Sequence, residues 1–577
     1  MKLFNILKHL LNNQQFIFLV TIIVLITPNC FLFFTEPLST STRIAYIAIP
    51  LGFYLIWTIL STKPGWMIWI SLPFLILGAF QLVLLYLFGN SIIAVDMFTN
   101  LVTTNAGEAG ELLGSIWPAV AGVCILYIPL LILGVISVKN KEKLSRVFRI
   151  KTLKAALIIL IIGGSASIYS SVSNSLYELK HVIFPLNVVY NIKYAVERWH
   201  MSNAYYTTSK DFKFRSTRTK SSNKREVYLL IIGETSRSLN WQLNGYPKET
   251  NPLLSKRDDV IYYPDAVTQS NTTHKSVPLI LGVANANDYE DLYKTKSVIA
   301  AFKEAGFKTL YVSNQALNRS LIDYYAAEAD RRIDLSPVNN DLYKENLPDG
   351  NALSIIQNAI NEDNNDLFIV FHSYGSHFNY QHRYPKEMAY FKPDNTSTIS
   401  HKYKQNIENA YNNSIRYTDF VLNSAIEILN DSSLCSGMLY LSDHGEDLMD
   451  DDRKKFLHAS PIPTYYQLHI PMLIWMSESY ISANPEKRNA AIDNHYKPVS
   501  TSATFNTMTD MANINTIMSD KTYSLLNPLF EVRERLYVTD HNDPCLFFNL
   551  GLDQKDLDLI DSMKIYYDHS LYKKPVY

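Results

Sequence analysis

The chain has 577 residues, more than one ordinary domain holds, so at least two structural units are expected. Its formal net charge of −1 argues against a nucleic-acid-binding protein, because such proteins carry a dominant basic surface. Its four cysteines form no CxxC pair and therefore predict neither a disulfide framework nor a cysteine zinc site.

Five apolar stretches near the N-terminus are each long enough for a membrane-spanning helix, which needs about 20 apolar residues. They cover residues 16–35, 43–61, 66–88, 116–138 and 154–172. The first stretch lacks a small-residue cleavage site and indicates an uncleaved anchor rather than a signal peptide. We therefore predict a five-helix transmembrane domain at residues 1–172.

Lysine and arginine are distributed unevenly between these stretches. Segment 139–154 carries seven basic residues and one acid, whereas loop 89–115 carries no basic residue. Because cytoplasmic loops are enriched in Lys and Arg, we expect 139–154 in the cytoplasm. Loop 89–115 and everything after residue 172 should then lie on the outer side of the membrane.

The outer loop and the segment after the last span both suggest contact with lipid. Asn100, Thr104 and Glu108 recur every four residues and would share one helix face, which is either a solvated face or a cluster that holds a lipid headgroup. Residues 173–222 mix apolar residues with Lys, Arg, Tyr and Trp, as in helices lying on a membrane surface. We predict bridging helices and a linker there, and a soluble domain at 223–577.

Short apolar runs alternate with helix-like segments in the soluble half, which predicts an α/β domain with a mostly parallel central sheet. In parallel sheets, ligands collect at the carboxyl ends of the strands. Polar residues stand at the ends of four runs: Glu234, Asn314, His372 with His377, and Asp443 with His444. Glu234, Asp443 and His444 are donors of the kind zinc accepts, although an acid at a strand end can equally cap a helix.

A hydroxyl-rich turn, "TQSNTTHKSVPLILG" at 268–282, precedes another apolar run. Its threonines and Ser276 suit a helix N-cap followed by a proline in the first turn. A hydroxyl at a helix N-terminus is also placed where a phosphate binds, and next to a metal it can act as a nucleophile. The turn alone leaves both interpretations open.

Five motifs follow one another in the soluble half: "IGETSRSLNWQLNGYP", "SNTTHKSVPL", "HSYGSHFNYQHRYP", "NNSIRYTDFVL" and "SDHGEDL…FLHASP". In order and spacing they resemble those of the phosphoethanolamine transferases, a family that includes lipid A-modifying enzymes of polymyxin resistance and that has a sulfatase and alkaline phosphatase-like fold. The resemblance implies that Glu234, Asp443 and His444 bind Zn²⁺. It also implies that Thr273, rather than Thr272, is both nucleophile and zinc ligand.

The resemblance gives roles to further residues and names the partners. It implies that His377 and His458 contact the phosphate and that Asn100, Thr104 and Glu108 bind the donor lipid. The expected enzyme is a monomeric, multi-pass inner-membrane phosphotransferase with its catalytic domain in the periplasm. It would move phosphoethanolamine from phosphatidylethanolamine, through a phosphothreonine-type intermediate, to lipid A or another envelope glycan. One zinc ion is expected, with a second metal left open.

Some positions depart from the family or stay open. Ser270-Asn271 replaces the common Cys-Gly before the nucleophile, and the cysteines cannot reproduce the disulfides of many relatives. His372 is either a supporting residue or a backbone-bonded strand-end histidine, and the acids after His444 are either functional or helix-starting. The alternative function is a glycerol phosphate transferase of the lipoteichoic acid synthase type, which shares the five spans and the threonine nucleophile.

Overall fold

The computed structural model describes most of the chain in two compact units. The described residues are 12–36, 38–88, 92–98, 116–173, 177–220, 222–317, 320–335, 347–362, 364–396, 399–460 and 462–563. The chain passes from the first unit to the second between Ala195 and Val196. The domain limits at residues 172 and 222 stay predictions.

The first unit is helical. Its helices are α1 Gln14–Thr35, α2 Thr40–Ile59, α3 Pro64–Ile70, α4 Leu72–Phe88, α5 Trp117–Lys139, α6 Arg146–Ser173 and α7 Leu179–Val182, followed by α8 Leu186–Asn203, which continues into the second unit. Within the described residues, four of these helices are long and apolar enough to cross a membrane, or five if α3 and α4 count as one broken span. Large apolar side chains such as Ile125 and Ile161 stay exposed, as expected for surfaces that meet lipid.

The third predicted span, 66–88, is bent by 62° between α3 and α4. Ser71 separates the two helices, and Pro73 follows it at the second position of α4. Proline has no backbone N–H and its ring clashes with the carbonyl four residues earlier, so a continuous helix is interrupted there. Five apolar stretches therefore do not give five uniform helices.

The second unit is built around a seven-stranded mixed sheet. The described strands of the whole unit, inside and outside this sheet, are β1 Thr217–Arg218, β2 Arg225–Gly233, β3 Val260–Tyr262, β4 Ala266–Val267, β5 Lys308–Ser313, β6 Arg331–Asp334, β7 Leu367–His372, β8 Leu434–Ser442, β9 Asp447–Leu448, β10 Phe456–Leu457, β11 Met472–Met476, β12 Val499–Ser500, β13 Ile514–Asn515, β14 Leu536–Val538 and β15 Pro544–Leu546. The central order is β3-β11-β8-β2-β7-β5-β6, with small two-stranded pairs outside it.

Strand direction in the central sheet follows the connections. Strands β8, β2, β7, β5 and β6 are mutually parallel, whereas β11 is antiparallel to both β8 and β3. Parallel neighbours need a long crossover, but the described chain between β8 and β11 holds only β9, β10 and one short helix. The chain therefore folds back at β11, and the central sheet is mixed, with five mutually parallel strands beside the reversed β11.

Helices cover the sheet and position its strand ends. They are α9 Tyr205–Thr208, α10 Thr273–Leu281, α11 Val298–Glu304, α12 Leu321–Ala326, α13 Asn351–Glu362, α14 Lys404–Leu429, α15 Tyr465–Leu468, α16 Glu478–Ala483, α17 Pro485–Asn494, α18 Thr504–Met511 and α19 Gln554–Ser562. Strands β2, β7 and β8 are buried along almost their whole length, which explains their unbroken apolar sequences.

Candidate metal-binding active site

Four side chains from three distant segments meet at one edge of the central sheet. Glu234 follows β2, and Asp443 and His444 follow β8. These two strands are parallel neighbours whose last residues, Gly233 and Ser442, lie in register. Thr273 is the first residue of α10. Parallel pairing thus brings the two strand ends together, as the sequence predicts.

The distances within this cluster are those of direct contacts. Thr273 Oγ1 lies 3.1 Å from Glu234 Oε1 and 3.1 Å from His444 Nε2. His444 Nε2 lies 3.3 Å from Asp443 Oδ2 and 3.6 Å from Glu234 Oε1. One ligand atom each from Glu234, Asp443 and His444 lies within 4.8 Å of the others. Two carboxylates and an imidazole in this arrangement match the donor set of a zinc site.

The hydrogen bonding of the Asp443 carboxylate gives the strongest indication that a cation fits here. Its Oδ1 accepts hydrogen bonds from the backbone N–H groups of Thr235 and His444, at 3.0 and 2.7 Å. Its Oδ2 is buried and accepts no hydrogen bond from any described residue. A buried carboxylate oxygen without a donor is costly unless a cation compensates it.

His444 is held in the tautomer that a metal ligand needs. Its Nδ1 lies 2.9 Å from the carbonyl oxygen of Gly445, which only accepts, so Nδ1 carries the proton. The lone pair of Nε2 therefore faces Thr273 and the carboxylates. Burial lowers the pKa of His444, which favours the neutral, ligating form.

The surroundings of Glu234 disfavour the ionised form of its carboxyl group. Burial, and then the nearby charge of Asp443, raise the pKa of Glu234 well above its usual value. The hydroxyl of Thr235 donates to Oε1 at 2.7 Å, and Gln315 donates to Oε2 at 3.2 Å. Thr235 itself has a φ of 59°, unusual for a β-branched residue, so the chain turns sharply after the glutamate.

The glycine of the GSH motif is required by this turn. Gly375 has a φ of +48°, and a Cβ there would lie 2.5 Å from the carbonyl oxygen of Glu234. The backbone N–H of Ser376 donates to the same carbonyl at 2.9 Å. Only glycine lets the loop after β7 approach the backbone of Glu234 this closely.

The hydroxyl-rich turn divides its roles between two threonines. Thr272 is the N-cap residue of α10, but its side chain caps no backbone N–H; its hydroxyl lies 3.2 Å from Ser270 Oγ. Thr273 alone reaches the carboxylate and imidazole cluster. Ser276, one turn further, donates to the carbonyl oxygen of Asp443 at 2.5 Å and ties α10 to the β8 end.

Two further histidines stand beside the cluster. The rings of His458 and His444 have centroids 4.2 Å apart, and those of His458 and His377 are 6.1 Å apart. His458 Nδ1 lies 3.0 Å from Glu446 Oε2, whose other oxygen accepts from Tyr380 at 2.9 Å. Burial lowers the pKa of His458 to about 4 and raises that of Glu446 to about 8.

The structure gives the contacts of Glu446, Asp447 and His372, whose roles the sequence leaves open. Glu446 orients His458 and does not start a helix, and Asp447 accepts from Thr464 and Gln467, both at 2.6 Å. His372 Nδ1 lies 3.2 Å from the hydroxyl of Tyr311, and its Nε2 has no partner among the described residues.

Asn314 ends its strand without joining the metal-ligand cluster. Its side chain donates to Asp349, which in turn accepts from the backbone N–H groups of Tyr374 and Gly375. Asn314 therefore shapes the loop before His377. Gln315, the next residue, touches Glu234 and is missed by sequence reasoning, although its place right after a strand-end residue is a signal. Asn100, Thr104 and Glu108 lie outside the described residues.

Comparisons with known proteins find similar sequences and folds. The sulfatase family model matches residues 226–514, half of the chain. A second model, described as phosphoethanolamine transferase EptA/EptB, matches residues 44–199. The phosphoethanolamine transferase EptA of Escherichia coli K12 is 29% identical over 334 residues, which are 56% of this chain and 60% of that protein. The chain thus spans about three fifths of the length of such curated relatives.

Two solved structures are similar to parts of the molecule. The periplasmic domain of EptC from Escherichia coli, in complex with Zn, is 26% identical with a TM-score of 0.52 and covers 58% of this chain and 96% of that one. The integral membrane lipooligosaccharide phosphoethanolamine transferase A from Neisseria meningitidis is 20% identical with a TM-score of 0.69, covering 90% of this chain and 98% of that one. At this identity, the second match shows a shared fold.

Proposed function

This chain belongs to the phosphoethanolamine transferase family of sulfatase-like proteins, and from that premise we propose that it is a zinc-dependent phosphoethanolamine transferase. The donor is phosphatidylethanolamine, and the acceptor is lipid A or another envelope glycan. The observation that carries the proposal is the contact of Thr273 Oγ1 with both Glu234 and His444. The enzyme would sit in the inner membrane with its catalytic unit in the periplasm.

Glu234, Thr273, Asp443 and His444 would hold one zinc ion. Bound zinc would act as a Lewis acid that lowers the pKa of a hydroxyl beside it. The unpartnered Asp443 Oδ2 and the fixed Nδ1–H tautomer of His444 support this donor set. The zinc complex of the EptC domain supports the choice of metal by family likeness.

Thr273 would be the nucleophile. Its Oγ1 loses a proton to water and attacks the phosphorus of the donor headgroup. A bond forms between phosphorus and Oγ1, and the bond to the glyceride oxygen breaks. Diacylglycerol leaves with a proton, and phosphoethanolamine stays on Thr273 as an ester. The acceptor oxygen then gives up its proton and attacks the same phosphorus, the bond between phosphorus and Oγ1 breaks, and Oγ1 takes up a proton to restore the free hydroxyl.

His377 and His458 would bind the phosphoryl oxygens and handle the protons. Glu446 holds the Nδ1 side of the His458 ring, so Nε2 is the nitrogen left for the substrate. A neutral histidine placed in this way can take up a proton at Nε2 and pass it to the departing glyceride oxygen. Asn100, Thr104 and Glu108 stay the proposed contacts for the donor lipid.

The test is a covalent labelling of the purified full chain in detergent with phosphatidylethanolamine. Intact mass spectrometry should find phosphoethanolamine on the wild type, with peptide fragmentation placing it on Thr273. Thr273→Ala should carry none. Thr272→Ala is the matched control, because it removes the neighbouring hydroxyl, and it should still be labelled. A label on Thr273→Ala would refute the nucleophile, and labelling from phosphatidylglycerol alone would favour the glycerol phosphate alternative.

A further inference from the structure

The turn that carries the nucleophile is held along its length by a segment near the C-terminus. We call this segment, residues 535–540, the C-terminal strap; it contains β14. Arg535 forms an ion pair of 2.5 Å with Asp265, and both side chains are almost fully buried. The backbone N–H of Val538 donates to the carbonyl oxygen of Gln269 at 2.8 Å. Two short contacts thus fix the chain on its way to Thr273.

Asn271, two residues before Thr273, is the centre of this arrangement. Its Oδ1 accepts from the hydroxyl of Tyr537 in the strap at 2.6 Å. Its Nδ2 donates to the carbonyl oxygen of Ser460 at 2.8 Å and to Gln467 at 2.6 Å. Its own carbonyl oxygen accepts from the backbone N–H of Ala459. One buried amide therefore links the nucleophile turn, the strap and the loop that follows His458.

Lys275 extends the strap contact to the other side of Thr273. This side chain is fully buried, and its Nζ donates to the carbonyl oxygens of Thr539 and Asp540 at 2.8 and 3.3 Å. The strap is thus joined to residues on both sides of the nucleophile.

This arrangement is non-covalent. Ser270-Asn271 stands where the resembling family commonly has Cys-Gly. All four cysteines are described, and each is free. The strap also lies beyond residue 514, where the sulfatase family match ends. Hydrogen bonds and one ion pair therefore hold the turn, and the strap residues that make them lie outside the part of the chain that the family model matches.

We propose that the C-terminal strap is a positioning element for catalysis, acting through the Tyr537–Asn271 hydrogen bond. The proposal rests on the proposed function, with Thr273 as the attacking group and His458 at the phosphate. Both are tied to Asn271, one through the turn and one through Ala459 and Ser460. The bond to Tyr537 sets the spacing of these two groups. Displacements of about 1 Å can cost a hundredfold in rate, so loss of this bond should lower kcat.

Tyr537→Phe is the sharpest perturbation, because it removes one hydroxyl and keeps the ring in its apolar cluster. Tyr480→Phe is the matched control. Tyr480 is also buried and donates one hydrogen bond, to the carbonyl oxygen of Met511 at 2.9 Å; its ring contacts Tyr228 near the start of β2, whereas Thr273 meets Glu234 just after the end of that strand. Both full-length variants are assayed with labelled phosphatidylethanolamine for the rate of Thr273 labelling, for kcat and KM, for zinc content and for Tm.

The expected result is a fall in labelling rate and kcat of about tenfold or more for Tyr537→Phe, with KM and zinc content unchanged. Tyr480→Phe should lower Tm about as much as Tyr537→Phe does, because each change removes one buried hydrogen bond. It should leave kcat at the wild-type value. In a double-mutant cycle, adding Tyr537→Phe to Asn271→Ala should lower kcat no further, because both changes remove the same bond.

Two results would overturn the proposal. The first is a Tyr537→Phe variant with wild-type kcat, whatever its Tm. The second is additivity of the two changes in the cycle, which would separate Tyr537 from Asn271. The wild-type measurement distinguishes a failure of this inference from a failure of the proposed function. A wild type that transfers nothing defeats the function itself, whereas an active wild type with an equally active variant defeats only the strap.

Discussion

Asp443→Asn should stabilise the metal-free protein while it removes metal binding. Asp443 Oδ1 already accepts two backbone hydrogen bonds, which an asparagine oxygen can keep. The new amide nitrogen would replace the unpartnered Oδ2, facing the Glu234 carboxylate and the lone pair of His444 Nε2 at 3.3 Å. The substitution thus puts an N–H donor in place of the Asp443 oxygen, an acceptor that faces only other acceptors.

The size of the effect follows from Coulomb's law. The carboxylate oxygens of Glu234 and Asp443 lie within 4.8 Å of each other. Two unit charges at that distance repel by about 3.5 kcal/mol at an effective dielectric constant of about 20. Allowing for imperfect repacking, we expect a gain of about 3 kcal/mol. For a unit of this size that is a rise of about 4 °C in Tm, from an unfolding entropy of about 2.1 cal/mol/K per residue.

The pH dependence provides a second check with a fixed sign. The pKa of Glu234 is raised in the fold, first by burial and then by Asp443. The contribution of Glu234 to the stability of the folded, metal-free chain is therefore fully present below the unfolded pKa of a glutamate. It is lost as pH rises through the raised pKa of the folded state. Asp443→Asn removes one cause of the rise, so its advantage over the wild type should grow from pH 5 to pH 8.

The measurement is thermal unfolding of the purified full chain in detergent, with a chelator and with added zinc. In chelator the variant should melt above the wild type. With zinc the order should reverse, because only the wild type gains from binding. A variant that melts below the wild type in chelator at pH 8 would refute the carboxylate repulsion. A variant that zinc still stabilises would refute Asp443 as a ligand.

Three further outcomes are expected. Glu446→Gln should lower kcat by about 10–100-fold with unchanged zinc content, because it loosens the Nδ1 contact that orients His458; unchanged kcat would contradict this. Burial lowers the pKa of His469 to about 4, so its stability contribution is present above pH 6.5 and is lost as pH falls toward 4. His469→Gln should therefore remove about 2 kcal/mol from the loss of unfolding free energy between pH 7 and pH 5, and an unchanged loss would argue against a neutral buried histidine. Arg237→Met should destabilise the chain by about 3–5 kcal/mol in denaturant titrations, because it strands Asp450 without its two-point ion pair at 2.7 and 2.8 Å; a loss under 1 kcal/mol would show that solvent compensates.

Five of the seven central strands could be predicted from apolar runs, but not all of their directions. The runs at β2, β5, β7, β8 and β11 reveal strands because burial on both faces requires an unbroken apolar sequence, whereas the short, partly exposed edge strands β3 and β6 give no such run. Strand β11 looks like the others in sequence and yet runs antiparallel. Direction depends on the length of the connection, and that becomes visible only when the elements between β8 and β11 are known to be short.

The candidate site divides in a similar way. Glu234, Asp443 and His444 could be placed together because adjacent parallel strands end at one edge of the sheet. The contacts of Gln315 with Glu234 and of Tyr537 with Asn271 could not, since no spacing rule links residues so far apart in the chain. Thr273 could be distinguished from Thr272 only by family resemblance; the structure distinguishes them by what each hydroxyl touches.

The wide separation of the contacting segments has a consequence for biogenesis. Thr273 meets Glu234 across 39 residues of sequence but meets His444 across 171, and Tyr537 meets Asn271 across 266. Contacts between such remote segments form late, because long loops must close first. During synthesis, the emerging polypeptide would expose its threonine turn long before the residues that contact it are made. Premature termination anywhere before residue 537 would therefore release a chain in which the hydrogen bond from Tyr537 to Asn271 never forms.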